Sequence, residues 1–347
     1  VWNNAAQLTG FLYTTGEIAA RQTTVLAGFD EDNLYLAFVS FNEAGGAATV
    51  KERDDSAVFT EDALEVYLQP DPESGEYFLF GGNALETQYD ARKMDASWSA
   101  EWTLKCHREY DSYFVAATWT AELAIPFRSL GLNGAPPDGT TWRVNFCRDW
   151  AAGLSADDRA AGLRHTTWSP IGGSFHNPAR FGNLEFRRGA PAVRWESVGE
   201  LASGSVSLEG NVRAASDARV DLSWEVRAAE GEEKVASDGI GVDVDAQGSS
   251  SFHLEGDFQI PGTEPWPARL ELSARGQDDA LLYRQEISFR AVPPFRVEID
   301  PVYLHGFLAS RFDVSLVPDF PREAVGRLRL MAGDGQLIAA TVCEELG

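Results

Sequence analysis

The sequence has few cysteines and no long apolar run. Its three cysteines are Cys106, Cys147 and Cys343 among 347 residues. None has CxxC spacing or a histidine cluster beside it, so we expect neither a zinc site nor a disulfide framework. Cys106 and Cys147 can form a single disulfide only if their strands are neighbours. Because no apolar run reaches about 18 residues, the chain is not expected to insert into a membrane.

Positive charge is also scarce. The chain has 29 Lys and Arg residues against 53 Asp and Glu residues, which gives a formal net charge of −24. A surface of this sign repels the phosphates of nucleic acids and of anionic membranes, so neither is an expected partner. Such acidity suits a secreted protein that meets neutral ligands. We therefore expect an extracellular, periplasmic or cell-surface location.

Helical periodicity is almost absent. Residues 1–188 consist of short strand-like runs separated by turns. Hydrophobic residues make up 44% of the chain and aromatic residues 11%, which is enough to fill a core. The pattern predicts an all-β protein of antiparallel sandwiches with over about 40% strand and under about 12% helix. One long irregular segment, Ala151–Arg180, has the length of a binding loop.

Composition and strand spacing divide the chain into three parts. The linker-like segment Gly189-Ala190-Pro191 ends a first domain, 1–188. Residues 189–293 have strand-like runs about every ten residues, which is typical of an immunoglobulin-like sandwich. Pro293-Pro294 opens a third part, 294–347. This part is too short for a complete sandwich, so we expect it to be part of a second immunoglobulin-like domain.

One strand organises the first domain. In Phe59–Pro70, FTEDALEVYLQP, alternate side chains face opposite sides of the strand. Leu64 and Val66 are suited to a core. Glu65 and Tyr67 place a carboxylate beside an aromatic ring on the other side, which we expect to be open. Because aromatic rings cover the apolar face of a sugar and carboxylates accept from its hydroxyls, the strand favours carbohydrate recognition.

Five segments occur in an order and spacing that resemble a known family. They are Phe29-Asp30 with Leu34–Phe38, Glu61–Leu68, Trp119–Phe127, Trp142–Arg148, and Trp168-Ser169-Pro170 with Phe175–Leu184. Together they closely resemble the family 9 carbohydrate-binding modules, over nearly all of residues 1–188 and none of 189–347. The resemblance implies a CBM9-like antiparallel β-sandwich in the first domain.

The resemblance also implies a binding site. Members of the family clamp a sugar, often at the reducing end of its chain, between two aromatic rings, and polar residues of neighbouring strands hold its hydroxyls. Matched residue by residue, the rings fall on Phe59 and Phe175 and the acid falls on Glu65. The further polar contacts fall on Asn83, Asn145 and Arg148.

The sequence departs from the family pattern at several positions. Phe59 and Phe175 stand where sugar-binding members carry Trp, which reduces the ring area, and Gly81 replaces a polar residue. Arg148 shares strand parity with the core residue Phe146, so it points into the core unless a bulge intervenes. Family members often hold structural calcium, and the carboxylate-rich loops here permit it without identifying its ligands. No other cofactor is expected.

The sequence therefore predicts a non-catalytic carbohydrate-binding region of a larger secreted polysaccharide-processing protein. The sandwiches that follow the first domain are expected to be spacers, with covalently attached catalytic or spacer domains outside this chain. No Ser/His/Asp set, metal cluster or distinct carboxylate pair stands out, so the chain itself is not expected to be an enzyme.

Three alternatives stay open at this point. If Phe59 and Phe175 pack under loops and Glu65 is a solvated strand position, the domain is a structural or adhesive sandwich that has lost the sugar. A haem-binding electron-transfer domain needs two axial ligands that face one pocket, and Met94 and His176 are the candidates. A glycosidase is the third alternative, but acidic pairs are too numerous here to identify one.

Overall fold

The protein consists of antiparallel sheets. A computed structural model describes residues 2–42, 58–110, 117–151, 154–156, 158, 162–199, 201–230, 233–261, 264–293, 295–304, 307–316, 326–331 and 337–343. Strands account for 54% of the chain, and within the described residues no helix reaches seven residues. The prediction of an all-β protein is therefore confirmed.

Short 3₁₀ turns connect some of the strands. They are Trp2–Asn4, Val58–Thr60, Pro72–Ser74, Phe127–Leu130, Pro178–Arg180, Leu201–Ser203 and Gln277–Asp279. The fourth of them follows Pro126 directly and ends at Gly131, whose φ of 80° lies in the left-handed region that glycine tolerates.

The first twelve strands form two sheets. They are β1 (Ala6–Leu8), β2 (Leu12–Tyr13), β3 (Thr23–Phe29), β4 (Asn33–Asn42), β5 (Ala63–Gln69), β6 (Phe78–Asn83), β7 (Gln88–Arg92), β8 (Thr103–Tyr110), β9 (Ala117–Pro126), β10 (Thr141–Asp149), β11 (His165–Thr167) and β12 (Gly182–Glu185). The five-stranded sheet has the order β1-β3-β4-β9-β8, and the seven-stranded sheet has the order β2-β11-β10-β5-β6-β7, with β12 paired to β10. Strand β5 therefore lies inside its sheet, between β10 and β6.

The core of this first sandwich lies between the two sheets. The predicted core residues Leu64 and Val66 of β5 are fully buried there. A Cβ atom on Gly82 of β6 would collide with Leu104, which belongs to β8 in the opposite sheet. The two sheets thus approach closely directly behind the outer face of β5 and β6, and this contact holds that face in place.

Seven further strands form a second pair of sheets. They are β13 (Ala192–Ser197), β14 (Ser205–Arg213), β15 (Ala218–Ala228), β16 (Lys234–Val244), β17 (Ser249–Asp257), β18 (Trp266–Arg275) and β19 (Leu281–Ala291). Their orders are β13-β14-β17 and β16-β15-β18-β19. The buried residues of the first core extend to Phe186 and those of the second begin at Val193, so the predicted linker lies between two separate cores. Three strands facing four is the arrangement of an immunoglobulin-like sandwich.

The last described strands form two antiparallel pairs. Strand β20 (Phe295–Leu304) pairs with β21 (Phe307–Leu316), and β22 (Gly326–Met331) pairs with β23 (Leu337–Cys343). Among the described residues, no helix is long and apolar enough to cross a membrane.

The two cysteines with described side chains are both free. Cys106 lies on β8 in the five-stranded sheet, and Cys147 lies on β10 in the seven-stranded sheet. The condition for a disulfide between them, neighbouring strands, is therefore not met. The Cys106 thiol instead donates to the backbone carbonyl of Asn83, at 3.3 Å.

Candidate functional site

A cavity opens on the outer face of the seven-stranded sheet, on the side of β5 that faces away from the core. Its volume is about 300 Å³, at the lower end of the range for small-molecule sites. Its described lining residues are Thr14, Phe59, Glu65, Tyr67, Asp149, His165, Gly173, Ser174, Phe175 and His176. Strand residues form the floor of this cavity, and loop residues form its walls.

The register of two strands determines the floor. In β5, Glu65 and Tyr67 alternate with core residues and therefore face the cavity. In the pairing of β5 with β10, Cys147 lies opposite Glu65 and Asp149 lies opposite Ala63. Asp149 is thus the diagonal neighbour of Glu65 on the same face, within reach of a side-chain contact.

Strand β11 and the loop after it complete the site. His165 lies opposite Asp149 in the pairing of β11 with β10. The loop between β11 and β12 brings Phe175 and His176 to the cavity, where His176 Nδ1 lies 2.9 Å from the Tyr77 hydroxyl. The irregular segment that the sequence marks as a binding loop therefore supplies one wall of the cavity, and it contains a short strand that the sequence did not indicate.

Phe59 and Phe175 are the two phenylalanines around the cavity. Phe59 precedes β5 and packs edge-to-face on Tyr89, with ring centroids 5.4 Å apart. Phe175 packs edge-to-face on Tyr67 at 6.3 Å and on His165 at 5.7 Å. Both phenylalanines are half-buried, so each ring is held by a neighbour and still has surface to offer a ligand.

The two carboxyl groups of the floor are buried side by side. Glu65 is 4% exposed and Asp149 is 0% exposed. Burial and the nearby charge of Asp149 raise the pKa of Glu65 well above its usual value, although the Tyr67 hydroxyl donates to Glu65 Oε2 at 2.6 Å. Burial likewise raises the pKa of Asp149 to about 7. Near neutral pH the pair therefore shares a proton rather than carrying two full charges.

Two neutral histidines flank these carboxyl groups. Burial lowers the pKa of His165, and burial also lowers the pKa of His176. Because His165 Nδ1 lies 2.6 Å from Asp149 Oδ1, the neutral imidazole of His165 donates its Nδ1 proton to that oxygen. The site therefore combines aromatic surface with hydrogen-bonding groups of little net charge.

Three of the six predicted site residues line this one cavity. They are Phe59, Glu65 and Phe175, the two rings and the acid of the family pattern. The expectation of an open face beside β5 is corrected here, because loops cover it and leave Glu65 at the bottom of a cavity.

Asn83 and Asn145 do not line the cavity, because their amides are used to hold loops beside it. Asn83 is fully buried, and its Oδ1 accepts from the backbone N–H groups of Leu85 and Thr87 at 2.9 and 3.1 Å. Asn145 is also fully buried, and its Oδ1 accepts from the backbone N–H of Ser169 at 3.0 Å. The two residues therefore fix the turn after β6 and the loop after β11 rather than forming the predicted floor.

Arg148 does not line the cavity either, because it points into the core as its strand parity predicts. The pairing of β5 with β10 has no register shift that would turn it outward. Its guanidinium lies 4.1 Å from the ring centre of Trp119 and 4.6 Å from that of Trp150, and its Nη1 donates to the Ala63 carbonyl at 2.8 Å. These contacts stabilise a buried positive charge on the core side of the sheet.

The family pattern did not supply the other polar residues of the site. Asp149 follows from the sequence, since it continues the alternation of Asn145 and Cys147 along β10. The place of His165 in the site cannot be predicted from the sequence, because β11 has only three residues and shows no local periodic pattern.

The two candidate haem ligands do not share a pocket. His176 lines the cavity, whereas Met94 is 74% exposed and lies outside the cavity lining. Within the described residues, no group of three or more His, Cys, Asp or Glu side chains is placed to hold a metal ion.

The fold and the cavity define a β-sandwich ligand-binding module, in which aromatic rings and carboxyl groups meet on one outer face. The model of the family described as carbohydrate family 9 binding domain-like matches residues 1–188. The chain belongs to this family of binding modules, and the resemblance of the five segments is confirmed. No curated protein sequence matches the chain.

Solved structures include similar proteins. A family 9 carbohydrate binding module from Caldicellulosiruptor kristjanssonii, in complex with cellotriose, is 15% identical with a TM-score of 0.38, and the match covers 54% of this chain and 84% of that one. A Bacteroides uniformis protein, described as a candidate carbohydrate-binding protein, is 16% identical with a TM-score of 0.40, covering 53% and 88%. The β-glucuronidase 2 of Bacteroides uniformis is 10% identical with a TM-score of 0.26, covering 85% of this chain and 32% of the enzyme.

Proposed function

We propose that the first sandwich binds carbohydrate in this cavity and that the chain hydrolyses no glycoside itself. The proposal rests on one observation: Phe59, Phe175 and Glu65, which the family pattern assigns to the two rings and the acid, line a single cavity. Membership of a family of binding modules supports it.

In the proposed mode of binding, the aromatic rings cover the apolar surface of the sugar and the carboxyl groups bind its hydroxyls. A pyranose between Phe59 and Phe175 buries apolar C–H surface, and each ring contributes on the order of 1–2 kcal/mol. Glu65 and Asp149 accept hydrogen bonds from the sugar hydroxyls, and the hydroxyl of Tyr67 orients the Glu65 carboxyl. Because phenylalanine offers less area than tryptophan, we expect dissociation constants on the order of 0.1–1 mM.

The remaining predicted residues act as supports in this proposal. Asn83 and Asn145 hold the neighbouring loops, and Arg148 supports the sheet from the core side. The region as a whole is proposed to serve a larger secreted polysaccharide-processing protein at an extracellular, periplasmic or cell-surface location. The acidic composition supports this setting.

The test is ligand-observed NMR on the full chain with four trisaccharides: cellotriose, xylotriose, chitotriose and its N-acetylated form. We expect at least one of them to bind. Phe59→Ala and Phe175→Ala should each weaken that binding about tenfold or more, because each removes one ring face. Glu65→Gln should also weaken the binding of a neutral sugar, because an amide cannot share a proton with Asp149 and offers the sugar hydroxyls one acceptor oxygen instead of two.

The matched control is Phe29→Ala. Phe29 is also half-buried, but its ring packs on Phe186 at 5.1 Å and it does not line the cavity. This variant should bind as the unchanged protein does. Failure of all four trisaccharides to bind, or wild-type affinity in folded Phe59→Ala and Phe175→Ala variants, contradicts the proposal.

A further inference from the structure

The carboxyl groups of Glu65 and Asp149 on the cavity floor indicate which charge and which donors a ligand should bring. Asp149 is completely buried and lines the cavity, and no N–H or hydroxyl group of the described residues donates to its Oδ2, which leaves the neighbouring carboxyl group of Glu65 as its partner. Its other oxygen, Oδ1, already accepts from His165. A buried carboxylate oxygen without a donor is costly. Oδ2 is therefore satisfied either by a proton shared with Glu65 or by a donor that a ligand brings.

The cavity lining holds two carboxyl groups, those of Glu65 and Asp149, and no lysine or arginine among its described residues. Besides Glu65 and Asp149, a third carboxyl group, that of Asp62, acts on the pair electrostatically. The guanidinium groups of Arg148 and Arg164 act on Asp149 with the opposite sign, from outside the cavity lining. Within the described lining, therefore, only the shared proton offsets the negative charge of the pair.

The other titratable groups that face the pair do not supply a positive charge. Burial raises the pKa of Tyr67 and of Cys147 well above their usual values, so both stay neutral near pH 7. His165 is neutral as well, since burial lowers its pKa. Arg164 directs its Nη2 to the backbone carbonyl of Phe59, at 2.8 Å.

We propose that the cavity selects an amino sugar, a pyranose with a free ammonium group, over the same sugar with its nitrogen acetylated and uncharged. The ammonium group takes the place of the shared proton, which leaves to the solvent, and donates to Asp149 Oδ2 and to Glu65. The rings of Phe59 and Phe175 cover the sugar and attract the cation to their faces. This inference rests on the proposed function, because it uses the same cavity.

The test compares glucosamine with N-acetylglucosamine on the full chain at pH 6. The two sugars differ only in whether the nitrogen carries a charge or an acetyl group. We expect glucosamine to bind about tenfold more tightly or better, since it adds a charge-assisted contact in a buried site. Calorimetry in two buffers of different ionisation enthalpy should show up to about one proton released per bound sugar.

Two variants test whether the preference for glucosamine comes from the carboxyl groups of Glu65 and Asp149. Glu65→Gln and Asp149→Asn keep the shapes of the side chains but remove one carboxyl group each. In either variant the preference should fall below about twofold and the proton release should disappear. Glu73→Gln is the control, because Glu73 is exposed on the turn before β6, and it should change neither quantity.

The outcomes separate this inference from the proposed function. Equal or tighter binding of N-acetylglucosamine overturns the amino-sugar inference and leaves sugar binding standing. A preference for glucosamine that persists in both carboxyl variants, or that releases no proton, also overturns it. If neither sugar nor any of the four trisaccharides binds, both proposals fail.

Discussion

Asp149 and Glu65 bury two carboxyl groups side by side, and the folded chain keeps a proton on the pair to do so. The buried cation nearby, Arg148, keeps its charge instead, because two indole rings and backbone carbonyls surround its guanidinium and stabilise it. A buried arginine cannot lose its proton easily, so the protein must solvate it, whereas a carboxyl group can be neutralised by protonation. The pair therefore makes stability depend on pH.

We expect the contribution of Asp149 to the free energy of unfolding to fall as pH rises. Its ordinary pKa is 3.8 and its folded pKa is about 7, so the folded state binds more protons than the unfolded chain between these values. The contribution is fully present below about pH 4 and lost above about pH 7, and it is on the order of 2–4 kcal/mol. The stability of Asp149→Asn relative to the unchanged protein should therefore increase when the pH is raised from 4.5 to 8.

Urea unfolding at those two pH values measures this difference. Asp95→Asn is the control for the direction of the effect. The hydrogen bond from the Ser97 hydroxyl lowers the pKa of Asp95 and keeps this carboxyl group ionised between pH 4.5 and pH 8. That variant should gain no stability relative to the unchanged protein at pH 8. A difference for Asp149→Asn that is the same at both pH values would show that the pair holds no extra proton.

At the scale of elements, the site depends on how closely the two sheets of the first sandwich pack behind it. Gly82 pairs with Leu64 on the core face of the seven-stranded sheet, and Leu104 of the opposite sheet fills the space where a Cβ would lie. Leu104 is only 2% exposed, so displacing its Cδ2 disturbs the side chains packed around it. Glycine at this position is thus a packing requirement of the sheet that carries the cavity.

Gly82→Ala should destabilise the first sandwich by about 1–3 kcal/mol, because the added methyl group overpacks the core. Gly28→Ala in β3 is the matched control, since no atom lies within 4 Å of a Cβ built there. Its effect should stay within about 0.5 kcal/mol. Urea unfolding monitored by tryptophan fluorescence compares the two, and equal effects would contradict the packing argument.

At the scale of the whole molecule, the first two sandwiches contact each other. Gln7 Nε2 donates to the Trp195 carbonyl at 3.2 Å, and Gln285 Nε2 donates to the carbonyls of Thr9 and Gly10. Ile18 of the first sandwich packs against the core of the second. These contacts join the segment 7–18 to the second sandwich.

Gly10→Ala should weaken this contact. A Cβ at residue 10 would collide with the Gln285 amide, which therefore has to leave its hydrogen bonds. Gly16→Ala is the control, because Gly16 also has a positive φ, 97° against 76° for Gly10, but nothing lies within 4 Å of its Cβ position. We expect Gly10→Ala to cost about 1 kcal/mol more than Gly16→Ala in thermal unfolding. In a Gln285→Ala background the two costs should become equal, and a persistent difference would show that Gln285 is not responsible.

The sequence by itself determined the features that depend on local pattern. The all-β class follows from short alternating runs between turns, and the opposite facing of Leu64 and Glu65 follows from the period of a strand. The family follows from five segments in order. The burial of Arg148 in the core also follows, since its strand parity gives the right side once no bulge is present.

Only the tertiary structure decided which polar groups meet. The register of β5, β10 and β11 brings Glu65, Asp149 and His165 together, although Glu65 and His165 are far apart in the sequence. Asn83 and Asn145 have the parity of site residues, yet their amides hold loops. A periodic pattern gives the side of the sheet on which a side chain lies. The hydrogen-bonding partner of that side chain depends on which loop crosses the same side of the sheet, and the path of the loop depends on long-range packing.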